Sequence, residues 1–469
     1  MKKTTFALYF GNRGFFPEQL IAAARAELSA RIGALGYETR MMAADATRFG
    51  AIETPQEGRL FARFLAENKS AVDGVIICLP NFGDERGAVE AVRDAGVPVM
   101  VMAYPDSLDK MDFQSRRDAF CGKLSVMDML RQYRIPYTAF ESHVVHPSSD
   151  EFAREIHIFA GVCRVVNGMR RMTVGAVGAR VSAFKTVRWD EVTLQKYGIT
   201  TESIDLSEVF QRMRSVDTAS EAYRTRFTRV SGYADLSAVP AAKVEQFTRL
   251  SVALDDIIAE YSLDSVALRC WLEMQKEIGI APCMIIGEMN DRGIPTACET
   301  DVGNAVAMRS LTLASGLPST CLDWNNNYGD EKNKCILFHC GPVPASLMTG
   351  IGVVVDHPMF AKSLGAGNGF GPNTGRIKPM PMTFASTKTE DGVLSYYLGE
   401  GRFTDDPIAK EFFGCGGVAE INGLPRALFH IGKEGYRHHV SVTPSHSAEA
   451  VREAFSTYLN YTRTDLCRS

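Results

Sequence analysis

At 469 residues, with 45% hydrophobic and 23% charged side chains, the chain is long enough for two to four packed domains and has no biased tract. A net charge of −4 argues against a nucleic-acid surface or an anionic-membrane surface. No stretch approaches the roughly 18 apolar residues of a membrane span, and the apolar run after Lys3 is broken at Gly11, Asn12 and Arg13, too early for an export signal. The expected setting is the cytoplasm, where eleven cysteines without a CxxC pair read as reduced, mostly buried thiols.

In chain order, residues 1 to 168 alternate short apolar runs with amphipathic stretches. TTFALYFG, YETRMMAA, DGVIICLPNF and VPVMVMAY read as strands. PEQLIAAARAELSARIGALGY, RLFARFLAEN, AVEAVRDAG and the stretch around KLSVMDMLRQY read as helices. This spacing predicts a parallel sheet with helices on both faces, whose ligands lie beyond the carboxyl ends of the strands. Two strand-end loops stand out: Gly11–Pro17, with Asn12 and Arg13, and Pro80–Asp84. Such loops hold an anion or sugar hydroxyls, or are simply tight turns. The absence of GxGxxG after the first strand argues against a dinucleotide.

A helix from Ser149 to about Met169 connects to a second α/β domain, residues 169 to 322. TVGAVGA is its first strand, GITTESIDLSEVF a strand opening into a helix, Ala241–Glu260 a helix, and DSVALRCWLEMQKEIG a strand running into a helix. The stretch IAPCMIIGEMNDRGIPTACETDVGNAVAMRS supplies a loop, the carboxylate Glu299 and a further helix. Residues 323 to 469 change texture. ILFHCG, GVVVDH, PMTFAS, GVLSYYLGEG, RALFHIG and HHVSVT read as short strands of an antiparallel barrel or sandwich, closed by a helix in SAEAVREAFSTYLNY. The expected fold is therefore α/β: two Rossmann-like parallel-sheet domains followed by a mainly antiparallel β-barrel domain.

Chemistry concentrates between Thr296 and Pro344. Glu299, Asp323 and His339 are polar groups in apolar frames, and two carboxylates with an imidazole suit a divalent cation with open positions. The pair His438–His439 supplies a further ligand. Adjacent strand residues face opposite sides, so only one of the two should face the ion. Each residue alone also has a plain structural explanation. Glu299 suits a helix start, Asp323 a turn before Asn325, and His339 a core histidine bonded to backbone. Together those explanations weaken, because buried charges are costly unless paired or metal-bound.

The residues in order resemble the L-fucose isomerase and L-arabinose isomerase superfamily, in its fucose-isomerase-like branch with a shorter C-terminal domain. The likeness rests on GNRGFFP, GARVSAFKTVRWDE, RCW, PTACETDVGNAVAM, DWNNNY, FHCGPVP and HHVSV, and on the step from Glu299 to Asp323. It implies that Glu299 and Asp323 are ligands that also handle protons, that His439 is the ligand from the last domain, and that His339 is the additional histidine of the arabinose branch, on metal or substrate. It implies that Arg13 reaches a substrate, and that the protein is a homo-oligomer, a trimer or hexamer, with a site shared between subunits. The implied activity is aldose–ketose isomerisation of an open-chain sugar through an enediolate. Mn²⁺ is the first-choice ion, with Mg²⁺ or Co²⁺ as alternatives. Glu299 is read as the base and Asp323 as its partner, roles that can be exchanged. Some members of the superfamily act on sulfoquinovose, and the loop with Asn368, Arg376 and Lys378 is rich in donors for an anionic end. Asn12, Asn325 and His438 complete the expected substrate contacts.

Two other classes fit parts of the pattern. A non-catalytic sugar-binding protein shares paired α/β domains, and a metal-dependent epimerase or lyase shares the enediolate site.

Overall fold

The structure is a computed structural model that describes residues 2–467. It forms two compact units: residues up to Asn167 with Glu449–Asn460, and Gly168–Ala448 with the residues from Tyr461 onward. In the first unit four parallel strands, β1 (Thr5–Phe10), β2 (Glu38–Arg40), β3 (Gly74–Leu79) and β4 (Val99–Ala103), run in the order β2-β1-β3-β4. Every residue of β1, β3 and β4 is buried, as continuous apolar runs covered by helices on both faces should be. The expected strand YETRMMAA pairs only over Glu38–Arg40. Beyond it the chain turns away, and Arg25 takes the Met42 carbonyl at 2.7 Å. The helix at SAEAVREAFSTYLNY groups with this unit, where the Tyr458 hydroxyl donates to the Val99 carbonyl at 3.0 Å.

The second unit contains two sheets. Strands β5 (Met172–Val177), β6 (Ile199–Ile204), β7 (Ser265–Leu268) and β8 (Thr296–Cys298) form a parallel sheet in the order β6-β5-β7-β8. The sequence reading missed β8, the helix Cys283–Asp291 before it and the helix Glu221–Ser231. Three residues are too few to show a period, and CMIIGEMND is buried nearly all round.

The other sheet comprises β9 (Thr320–Asn327), β10 (Lys334–His339), β11 (Val353–Asp356), β12 (Phe370–Arg376), β13 (Met380–Glu390), β14 (Val393–Phe403), β15 (Cys415–Glu420), β16 (His439–Thr443) and β17 (Thr462–Arg463). Six of these close on themselves in the order β15-β10-β9-β16-β13-β14, with Phe403 opposite Ala419 sealing the ring. The antiparallel barrel expected from the sequence is thus present. Its core is filled by Leu322, Leu337, Met382, Phe384, Tyr397 and Val440. RALFHIG is not a strand but lies in the helix Leu424–Lys433. Leu424, Ala427 and Ile431 are its buried residues, a helical spacing, and Pro425 sits in its first turn.

One helix joins the two sheets of this unit. Val302–Ser315 follows β8 and is buried except at Arg309 and Ser315. Its Gly303 carbonyl accepts from Thr387 Oγ1 at 2.7 Å on β13, and Asn304 Oδ1 accepts from Ser441 Oγ at 2.8 Å on β16. Arg309 pairs with Asp264 at 3.0 Å, just before β7. The residue before this helix is thereby pinned beside the barrel. The approach is so close that a Cβ at Gly303 would meet Arg437 Nη1 at 2.4 Å and the Thr387 carbonyl at 2.6 Å. Gly303→Ala should therefore destabilise the fold by about 1–3 kcal/mol through overpacking. The check is a lower denaturant midpoint with an unchanged slope; a midpoint equal to wild type would contradict this packing.

No helix among the described residues is long and apolar enough to cross a membrane.

Candidate active site

Glu299 sits where β8 ends and the buried helix begins. It and Thr300 have φ of +60° and +61°, a left-handed conformation that residues with a Cβ seldom adopt. The turn is held by Thr300 N–H on the Leu268 carbonyl at 3.3 Å and Asp301 N–H on the Cys298 carbonyl at 3.1 Å. Strain of about 1–3 kcal/mol per residue persists only where the surroundings fix it, and such turns cluster at functional sites. Glu299 is not the helix cap. That role falls to Asp301, which accepts from Asn304 N–H at 3.0 Å.

The barrel brings the other groups. Asp323 on β9 pairs directly with His439 on β16, so their side chains share a face. His439 Nε2 lies 3.3 Å from Glu299 Oε2 and 3.4 Å from Asp323 Oδ1. His339, at the end of β10, has its ring 5.7 Å from that of His439. Glu299 Oε2, Asp323 Oδ1, His339 Nε2 and His439 Nε2 are all buried without a hydrogen-bond partner. Orphaned polar atoms of this kind call for a missing ligand. Oxygen and nitrogen ligands held at about 2.0–2.2 Å by one divalent ion lie roughly 3 Å from one another, and Glu299 and Asp323 each keep close to that spacing from His439, so these residues fit a cation.

A layer behind the cluster orients it. His439 Nδ1 donates to Asp301 Oδ2 at 2.8 Å, which turns Nε2 towards Glu299 and Asp323. Asp301 is wholly buried, and Arg437 lies 3.3 Å from its other oxygen. Burial alone would raise the Asp301 pKa, but Arg437, His439 and Asn304 outweigh it and hold the carboxyl down at about 2. For Glu299, burial is likewise outweighed by His439, His339 and His438, and the pKa falls below the ordinary value. Burial opposes charge on both histidines too. Cys321, Asp301 and Glu299 nevertheless pull His439 well above its usual value, and Cys340, Asp323 and Glu299 pull His339 to about 9.

Asp301, Arg437 and Cys321 were not among the residues expected from the sequence. The signal for Asp301 was a second acid two positions after Glu299, three residues before Asn304 in an apolar helix. Arg437 precedes the histidine pair and left no sequence signal of its own.

His438 stands just before β16, with its side chain 41% exposed and Nε2 3.7 Å from Asp323 Oδ1, so both histidines of the pair border the carboxylates. Only His439 is enclosed. Phe184 lies 6.1 Å from the His438 ring and begins an aromatic row through Trp271 at 5.3 Å and Phe360 at a further 5.2 Å.

The remaining expected residues have contacts of their own. Asn325 is exposed and bonded to Asn326. Asn368 donates to the Leu364 carbonyl at 3.0 Å. Arg376 is turned to backbone, donating from Nη1 to the Gly375 carbonyl and from Nη2 to the carbonyls of Ala409 and Phe412. Lys378 is exposed. Asn12 and Arg13 belong to the first unit, where Asn12 is buried against Glu53 and Asn81. Arg13 pairs with Glu85 and lies over Phe82.

The depressed Asp301 carboxyl makes a pH-dependent prediction. A group held near 2 when folded, against 3.8 when unfolded, contributes stability that is complete above the unfolded value and is lost as pH falls through the folded one. In chelator-treated protein, Asp301→Asn should lower stability at neutral pH by at least about 1 kcal/mol. The gap to wild type should close as pH falls from about 4 towards 2. Denaturant midpoints measured across pH 7 to about 3 test this, and a gap that is constant with pH would contradict it.

The chain also matches known proteins. Residues 7–170 match the family model for the fucose/sulfoquinovose isomerase N-terminal domain, and residues 337–465 match that for the L-fucose isomerase C-terminal domain. A sulfoquinovose isomerase of Clostridium sp. (strain MSTE9) is 28% identical over 278 residues, 58% of this chain and 60% of that protein. One from Priestia aryabhattai is 24% identical over 381 residues, 79% of this chain and 80% of that protein. One from Alkalicoccus urumqiensis is 23% identical over 285 residues, 61% of this chain and 63% of that protein. Matched by both domain models, with Glu299 at the end of a parallel sheet and Asp323, His339 and His439 on the barrel, the chain belongs to the fucose-isomerase-like family of sugar isomerases.

Proposed function

We propose that this chain is a metal-dependent aldose–ketose isomerase acting on an open-chain hexose, with sulfoquinovose as substrate. The observation that carries this reading is the convergence of Glu299 Oε2, Asp323 Oδ1 and His439 Nε2, buried and unpartnered, within 3.3–3.4 Å of the imidazole nitrogen. These three would hold the divalent ion, Mn²⁺ first, with Mg²⁺ or Co²⁺ as alternatives. When bound, the ion polarises the carbonyl and stabilises negative charge on O1 and O2.

The residues supply the proton traffic. Glu299 takes the proton from C2 of the aldehyde form as the C1–C2 double bond forms, then returns it to C1. Asp323 carries the hydroxyl proton from O2 to O1, so the net change is an aldose to a ketose. The exchange of these two roles leaves the balance unchanged. The substrate assignment is supported by relatives named as sulfoquinovose isomerases.

In the three-part division 1–168, 169–322 and 323–469, Glu299 comes from the second part and the other ligands from the third. The functional unit is a homo-oligomer, a trimer or hexamer, in which the loop with Asn12 and Arg13 serves a neighbouring subunit's substrate. Free cysteines throughout suit a reducing cytoplasm.

Incubation with Mn²⁺ and a panel of aldoses, sulfoquinovose included, should yield ketose, and chelator should abolish it. Glu299→Gln should fold and lose about 10²–10⁴-fold in turnover. In deuterated water the product carbon should carry deuterium. A fully active Glu299→Gln would sink the assignment, and a product free of solvent deuterium would favour a hydride shift. Sugar binding that survives chelation, with no ketose formed, would favour a binding protein.

A further inference from the structure

The buried histidines of this region differ in which ring nitrogen is already engaged. At His439, Nδ1 donates to Asp301, so in the neutral ring Nε2 is the nitrogen that keeps the lone pair. At His339 the arrangement is reversed. The Cys340 backbone N–H donates to Nδ1 at 2.9 Å, and Cys340 Sγ lies 3.5 Å from the same atom. The hydrogen bond to Cys283, together with burial, keeps Cys340 a thiol by holding its pKa well above the usual value. A neutral imidazole that accepts at Nδ1 carries its proton on Nε2. An Nε2–H has no lone pair for a cation, yet this one is buried and unpartnered.

His357 repeats the pattern. Its Nδ1 accepts from the Met359 N–H at 3.2 Å, while Nε2 is buried without a partner. Burial lowers its pKa to about 4, with His339 contributing in the same direction, so the ring is neutral near pH 7. The ring packs 4.3 Å from Phe360, the far end of the aromatic row that starts beside His438.

We propose that His339 and His357 are substrate-facing Nε2–H donors, and that His339 is not a ligand of the ion. The inference rests on the metal-site reading above. Two carboxylates and one imidazole then hold the cation, and the two neutral donors meet hydroxyl or carbonyl oxygens of a sugar lying along the aromatic row. A proton on Nδ1 would collide with the Cys340 N–H that already points there.

The test uses the full chain loaded with Mn²⁺. Pulsed electron–nuclear spectroscopy should show one strongly coupled imidazole nitrogen, lost in His439→Asn and kept in His339→Gln. By calorimetry, His339→Gln and His339→Ala should bind Mn²⁺ within about threefold of wild type, whereas loss of a true ligand costs far more. With sulfoquinovose, KM should rise about tenfold or more in His339→Ala and His357→Phe, and recover in the Gln variants, which keep an N–H near the same position. Two coupled nitrogens, or a folded His339→Gln with Mn²⁺ affinity down by tenfold or more, would overturn the inference, as would unchanged KM values. Failure of the underlying reading looks different: Mn²⁺ binding would then be indifferent to Glu299→Gln and His439→Asn.

Discussion

The hydrogen bond from His439 Nδ1 to Asp301 joins the two structural halves of the site, and the remaining geometry depends on it. Asp301 caps the buried helix that follows β8, while His439 begins a barrel strand. The bond therefore fixes the rotation of an imidazole on one sheet against the end of another. It also sets which nitrogen faces Glu299 and Asp323, a choice that decides whether the ring offers a lone pair or a proton. Arg437 and Asn304 keep the Asp301 carboxylate charged in a place where burial alone would neutralise it.

This arrangement concentrates negative charge where water is excluded. Like charges brought to one buried imidazole repel, and more strongly as the local dielectric falls. Glu299 and Asp323 both approach His439 Nε2, and that single ring offers one proton at most to share between them. The left-handed backbone at Glu299 and Thr300 adds its own cost. Neither cost is relieved by the contacts within the cluster, since the facing atoms lack hydrogen-bond partners. A divalent cation relieves the repulsion and satisfies the orphaned atoms together. The buried helix is packed against the barrel closely enough to hold this geometry in place, as the Gly303 contacts show.

Much of this was legible in the sequence, for identifiable reasons. The parallel strands declare themselves as continuous apolar runs, and the barrel as short strands between Gly and Pro. Glu299, Asp323, His339 and the histidine pair were visible because charge inside an apolar frame is expensive. What escaped was whatever depended on partners far along the chain. Leu424–Lys433 was taken for a strand because its short apolar run suits either period, and only the buried spacing of Leu424, Ala427 and Ile431 decides it. The helix-start reading was given to Glu299, whereas the cap is Asp301, whose bond to a residue 138 positions away has no local signature. Arg376 shows the converse: an arginine in a glycine-rich loop suggests an outward guanidinium, but its Nη atoms reach backbone carbonyls that no local pattern announces.

The histidines show how finely such a site is specified. His339, His357 and His439 are equally buried, and residue type alone would make all three candidate ligands. Their roles separate through one neighbour each: a carboxylate accepts from Nδ1 of His439, while backbone N–H groups donate to Nδ1 of His339 and His357. An acceptor behind the ring makes the front a ligand, and a donor behind it makes the front a donor. His438, half exposed and 3.7 Å from Asp323, has its pKa lowered by partial burial and by His439. The sequence places four histidines, but the backbone and one aspartate behind them determine what each presents to a sugar.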